Sequence, residues 1–181
     1  RQTNFYNKSI GVVAPTSQMK SVLERYGVTV PIRVIPTGID GNRFRCRPRL
    51  DTPEGRQERN DLQRAADGLI PGLERKKKRL LFVGRIAHEK NVSFLYELHR
   101  RLRDQFDGLV TVLVGDGPDR PVLEQKAAED GWENEFILAG YRTPSEISLL
   151  YRTADVFVFP SKTETQGLVT IEAMLSGLPV V

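Results

Sequence analysis

Two hydrophobic rhythms alternate along this chain. Short apolar runs at residues 10–14, 32–35, 80–83, 109–114, 136–138 and 156–159 read as strands. They are continuous rather than alternating, as expected for parallel strands covered on both faces. Between them, apolar residues recur at helical spacing. Met19, Val22, Leu23 and Tyr26 share one face, with Gly27 as the stop. Leu95, Leu98, Leu102 and Phe106 share another, predicted to face inward, and Asn91 is placed to cap that helix. Pro121 suits a first helical turn, and Thr143-Pro-Ser-Glu146 spells a capping box opening a helix to about Tyr151. The alternation predicts an α/β fold with a doubly wound, Rossmann-like parallel sheet, whose ligands bind beyond the C-terminal ends of the strands.

The last strand, closed by Pro160, runs into Ser161-Lys-Thr-Glu-Thr-Gln-Gly-Leu-Val-Thr-Ile-Glu172. Strand, polar turn and helix in this order point unpaired backbone N–H groups at an anion, here those around Gly167. The helix is predicted to start near Gly167 and to bury Leu168, Ile171 and Leu175. At 100° per residue Glu172 falls only about 40° from Leu168, at the edge of that face. A carboxylate there needs a hydrogen-bonding partner, either ligand hydroxyls or a neighbouring Arg. It stands roughly 8 Å along the axis from the helix start. That suits phosphates at the helix tip, a ribose one turn on, and a further hydroxyl-bearing group beside Glu164.

Glu164 and Glu172, within Thr-Glu-Thr-Gln-Gly-Leu…Glu-Ala-Met…Ser-Gly-Leu-Pro-Val-Val, resemble the signature of retaining GT-B glycosyltransferases of the group 1, or family 4, type. Taken without the surrounding pattern, the pair reads equally as two solvated glutamates. Gly84-Arg85…Glu89-Lys90-Asn91 resembles that family's diphosphate-binding loop, and Val-Ile-Pro-Thr-Gly-Ile-Asp40 its crossover between domains. The resemblance implies residues 1–44 as the end of an acceptor domain with crossover, 45–79 as a basic insert, and 80–181 as an incomplete nucleotide-sugar-binding domain. The chain would then be a fragment, the C-terminal half of a GT-B fold. It implies transfer of a sugar from a nucleotide diphosphate sugar to an acceptor hydroxyl with the anomeric configuration kept. Arg85 and Lys90 would hold the diphosphate beside Gly84, and Glu164 the donor sugar. Amides of Gln166, Gly167 and Leu168 would hold sugar and phosphate oxygens, Glu172 the ribose, and Tyr141 would lie near the base. Pro-Thr-Ser17…Tyr-Gly-Val28 narrows the likeness to glucosyltransferases acting on diacylglycerol, hence UDP-glucose and a membrane lipid. On its own the chain is expected to bind donor weakly and turn over little.

Composition changes the picture in two places. Residues 43–79 hold 12 Lys or Arg against 6 Asp or Glu, a local charge of +6 in a chain totalling +4. Pro53, Leu62, Ala65, Ala66 and Leu69 suggest a short helix there, within a solvated and partly disordered loop; contact with anionic lipid is the sharper reading. Nucleic acid is disfavoured because the basic runs lack interleaved aromatics. Cys46 is the sole cysteine, so an internal disulfide is excluded and a reducing cytoplasm fits; the resemblance to lipid glucosyltransferases implies a peripheral position at the inner membrane face. No apolar run is long enough to span a bilayer.

Other candidates are weaker. Gly115-Asp-Gly-Pro118 lacks the third glycine of a dinucleotide fingerprint, since Arg120 occupies its place. NAD chemistry is therefore disfavoured, and the glycines are expected to let the backbone pass near a ligand. His88 reads as a surface residue. Asp116 and Asp119 lack the clustering a divalent cation needs, so neither metal nor cofactor is expected. A catalytically silent nucleotide-sugar-binding module and a GT-B-type sugar phosphorylase remain as alternatives.

Overall fold

The computed structural model describes every residue except 1, 45, 50, 74–77 and 165. Part of the basic run and one residue of the Glu164–Glu172 stretch therefore lie outside the described residues. The chain divides into two compact units, residues 1–39 with 164–167, and residues 40–163 with 168–181.

The first unit holds α1 (Gln2–Tyr6), β1 (Val12–Ala14), α2 (Ser17–Arg25) and β2 (Ile32–Val34). β1 and β2 pair in parallel, Val12 opposite Ile32. Thr16 caps α2 by accepting from the Met19 amide at 3.1 Å. The chain leaves α2 through Gly27 at φ 85°, a left-handed stop where sequence reading put it. Two expectations fail here. Ile10 is fully exposed, outside the strand, and Tyr26 is 72% exposed rather than part of an inward face.

The second unit follows with α3 (Pro53–Leu69), β3 (Lys78–Val83), α4 (Val92–Leu102), β4 (Leu109–Val114), α5 (Arg120–Glu129), β5 (Phe136–Gly140), α6 (Pro144–Thr153), β6 (Val156–Phe157) and α7 (Leu168–Leu175). Its four strands are all parallel, in the order β5-β4-β3-β6. All six residues of β4 are buried, as befits a central strand. Successive side chains serve opposite faces. Leu81, Val83, Val112 and Phe157 pack with residues of α3, α6 and α7, including Ala66, Leu150, Tyr151 and Ala173. Phe82 and Leu113 pack with Ile86, Leu95, Tyr96 and Leu123 on the α4–α5 side. This is the doubly wound parallel sheet the hydrophobic rhythm predicts. Fully burying a side chain such as Phe82 contributes roughly 2 kcal/mol.

Two elements differ from expectation. The stretch expected as mostly solvated loop contains α3, of 17 residues, capped by Thr52 with Pro53 in its first turn. Its inward positions are Gly55, Gln63 and Ala66, too small or polar to register as a hydrophobic stripe. Arginines tie it down: Arg59 donates to the carbonyls of Arg152 and Thr153 at 2.8 and 3.3 Å, capping the end of α6. Arg152 returns a bond to Glu58 at 2.6 Å. On α4 the buried face is Val92, Leu95, Tyr96 and His99, while Phe106, predicted to face inward, is 49% exposed. Phe106 instead borders an apolar groove of about 610 Å³ between α4 and β6.

Candidate active site

The turns after β3 and β4 lie against each other and are stitched through their backbones. Gly84 donates to the Val114 carbonyl and Ile86 to that of Asp116, both at 2.9 Å, and Asp119 returns to Ile86 at 3.0 Å. A Cβ on Gly115, whose φ is 131°, would stand 2.0 Å from the Gly84 carbonyl oxygen; one on Gly117 would stand 2.3 Å from that of Ile86. The glycines are thus required by loop-on-loop packing, a reason nearer than passage of a ligand. Above these turns opens a cavity of about 520 Å³ lined by Gly84, Arg85, Asp116, Gly117, Tyr141, Arg142 and Ile147 among others. That volume suits a small-molecule ligand. It lies at the C-terminal ends of β3, β4 and β5, where a parallel sheet binds its ligands. The larger apolar groove beside α4 carries none of these turns.

From Arg85 the chain enters a single turn, His88–Lys90, and leaves it through Asn91 at φ 53°. Asn91 does not cap α4 with its side chain, contrary to expectation. In this conformation its amide reaches across to donate to the Pro160 carbonyl at 3.3 Å. The hydroxyls of Ser161 and Thr163 both donate to the Glu89 carbonyl, at 3.3 and 3.4 Å. Residues 84–91 and 160–163 are therefore fastened together at one end of the sheet. Arg85 approaches Glu89 at 3.6 Å with 66% of its side chain exposed, a contact weak enough to yield to an anionic ligand. The Lys90 ammonium stands 6.0 Å from the centre of the Phe159 ring.

Glu172 sits half-buried on α7. Its Oε2 accepts from the Tyr151 hydroxyl at 3.0 Å, so its partner within the protein is a phenol and not an arginine. Burial pushes the Glu172 carboxyl above its ordinary range, and the Tyr151 bond partly offsets this. Burial and the adjacent Glu172 push the Tyr151 phenol higher still, which keeps it a donor. The face of α7 expected to be buried is not: Ile171 and Leu175 are 42% and 39% exposed, and Ala173 is the residue of the helix that is buried.

Glu164, Gln166 and Gly167 belong to the first compact unit. There the Gln166 amide donates to the Pro15 carbonyl at 3.2 Å, and Gly167 adopts φ 59°. Leu168 opens α7 directly after it. Of the residues singled out from sequence, Gly84, Arg85 and Tyr141 border one cavity, with Tyr141 78% exposed. Lys90 follows on the same loop as Arg85, and Glu172 is held by α6.

Sequence reading missed Arg142, Ile147 and Tyr151. Arg142 borders the cavity and donates to the carbonyls of Leu69 and Tyr141. Its position directly after a strand-end Tyr could have drawn notice. His88 lies exposed in its turn. His99 is fully buried, its Nδ1 2.9 Å from the Thr111 hydroxyl, and burial pulls its pKa down. Among the described residues no group of three or more His, Cys, Asp or Glu side chains is placed to hold a metal ion.

A doubly wound parallel unit with a cavity at its strand ends is an arrangement found in one half of a GT-B fold. Residues 69–181 match the family of glycosyl transferases group 1, and the chain belongs to it. Over 98% of its length it is 34% identical to the alpha-monoglucosyldiacylglycerol synthase of Streptococcus pneumoniae and 28% identical to that of Acholeplasma laidlawii. It spans 38% and 42% of those proteins. The crystal structure of Anabaena Alr3699/HepE with UDP and glucose matches 99% of this chain and 46% of its own, with a TM-score of 0.74 at 22% identity.

Proposed function

We propose that the protein is the donor-binding part of a retaining glycosyltransferase that moves a hexose, with UDP-glucose the favoured donor, to an acceptor hydroxyl. The observation that carries this reading is the cavity of about 520 Å³ at the ends of β3, β4 and β5, bordered by Gly84, Arg85 and Tyr141. The bonds from Asn91, Ser161 and Thr163 to the neighbouring loop support it.

In this reading Arg85 and Lys90 grip the diphosphate as a planar fork and a point charge. The amides at Gln166–Leu168 add the positive end of α7. The bond between the anomeric carbon and the β-phosphate oxygen breaks, and these donors stabilise the charge that develops on that oxygen. The acceptor oxygen bonds to the anomeric carbon from the same face, and its proton passes to a departing phosphate oxygen. Glu164 holds sugar hydroxyls and Glu172 accepts from the ribose; both position and neither attacks. Tyr141 packs near the base. No metal or other cofactor takes part.

The likeness to two diacylglycerol-directed synthases along nearly the whole chain favours a membrane glycerolipid as acceptor. The reading accordingly has the enzyme in the cytoplasm, in peripheral contact with an anionic membrane face. Among the described residues no helix is long and apolar enough to cross a membrane. Within the basic segment, Arg59, Arg64 and Arg49 all have protein partners, Arg49 pairing with Asp51 at 2.7 Å while its side chain is 81% exposed.

Calorimetric titration with UDP, GDP and ADP, then with their sugars, tests the reading. The expected result is tightest binding of UDP, with an affinity that falls about tenfold in Lys90→Ala and in Glu172→Ala, the size of one charge-assisted hydrogen bond. Equal affinity of the wild type and both variants would remove the site assignment. Sugar release from a disaccharide by inorganic phosphate would point instead to a phosphorylase.

A further inference from the structure

Tyr151 has no contact with the ligand in the reading above, yet it holds the one carboxylate assigned to the ribose. Its ring is fully buried. Phe44 and Phe157 meet it edge-on, with centroids 6.1 and 5.7 Å away. A ring clamped in this way cannot carry its hydroxyl elsewhere, so Oε2 of Glu172 is held at a fixed point. The carboxylate keeps further acceptor capacity, chiefly on Oε1. Tyr151 also follows Ile147 by four residues on α6, and Ile147 borders the cavity. One face of one helix therefore joins the cavity wall to the carboxylate.

We propose that Tyr151 is a positioning residue that pre-orders Glu172 for the ribose diol, and so sets the preference for ribonucleotides over deoxyribonucleotides. The proposal rests on the ribose role given to Glu172. A glutamate free to rotate would have to be ordered at the moment of binding; a glutamate already bonded is ordered beforehand. Burial keeps the phenol protonated, so this donor does not switch off at any working pH.

The test compares UDP with 2′-deoxy-UDP by calorimetry on the 181-residue chain. The wild type is expected to prefer UDP by about tenfold or more, the value of a hydrogen bond to a charged acceptor. Glu172→Gln should abolish most of that preference. Tyr151→Phe, which deletes only the hydroxyl, should lower it by roughly threefold or more, and should add nothing in the Glu172→Gln background. A wild type with no preference, unchanged by Glu172→Gln, overturns the ribose reading itself. Loss in Glu172→Gln with full retention in Tyr151→Phe overturns the positioning role alone.

The pH profile separates positioning from packing. The Tyr151 bond lowers the Glu172 pKa, so its removal should move the midpoint of the ribose preference to higher pH. Tyr151→3-fluorotyrosine keeps the buried ring and strengthens the donor, and should move the midpoint the other way even if Tyr151→Phe does not fold. A midpoint that stays put with the fluorinated residue contradicts the proposal.

Discussion

The two halves of the candidate site are built by different means. The β3 and β4 turns are fixed by backbone: Gly84, Ile86, Asp116 and Asp119 exchange main-chain bonds, and no Cβ fits at Gly115 or Gly117. On the α7 side the candidate carboxylate is oriented by a side-chain bond, Tyr151 to Glu172, on a helix with exposed Ile171, Met174 and Leu175. Backbone packing cannot be adjusted by one substitution without disturbing the fold, whereas a side-chain bond can. The turns should therefore respond to mutation in stability, and the α7 side and the cations in ligand selectivity.

The largest effect should come from Gly115→Ala. Its Cβ would overlap the Gly84 carbonyl oxygen at 2.0 Å in a left-handed backbone, so one turn must move. A loss on the order of 3 kcal/mol is expected, or roughly 10 °C in Tm, with nucleotide binding lost alongside. A variant with wild-type Tm would show that the two turns are not mutually locked. Arg85→Ala should behave in the opposite way, weakening UDP binding about tenfold while Tm stays within about 1 °C, because its exposed contact to Glu89 contributes little. Tyr151→Phe should fall between them, costing about 1 kcal/mol in chemical denaturation because a half-buried carboxylate loses its donor.

On stability, Glu172→Gln should give the smallest effect, visible only through pH. Burial raises the folded-state pKa of Glu172 above its ordinary value of 4.5. Stability from its bound proton is complete below pH 4.5 and is lost as pH rises through the raised folded value. Glutamine has no proton to lose. Relative to the wild type, the variant should therefore gain in Tm between acid and neutral pH, even as it loses ribose selectivity. A parallel pair of Tm curves would contradict the assigned pKa direction.

The strands and most helices were legible in the sequence because their signals are local: β4 has five apolar residues in six, broken only by Thr111, and the Thr143 capping box closes within four residues. Both cap bonds of that box are present. What was hidden depends on residues distant in sequence. α3 turns Gly55, Gln63 and Ala66 inward and is held by Arg59 reaching residues 93 and 94 positions away, which no hydrophobic period reveals. The need of Glu172 for a partner could be read from its place on the helix, but the identity of that partner could not. Tyr151 carries the hydrogen bond, and in the sequence it marked only the approximate end of its helix. The apolar residues of α7 and of the stretch from α4 to Phe106 misled because both carry more of them than their inner faces use. Phe94, Phe106, Ile171 and Leu175 remain exposed.

Amide hydrogen exchange with and without saturating UDP tests the central claim most directly. The account predicts slowed exchange on UDP addition at residues 84–91, 115–117 and 166–169, with α3 and β4 unchanged. UDP binding, confirmed by calorimetry, that leaves those amides exchanging at their ligand-free rates would contradict it.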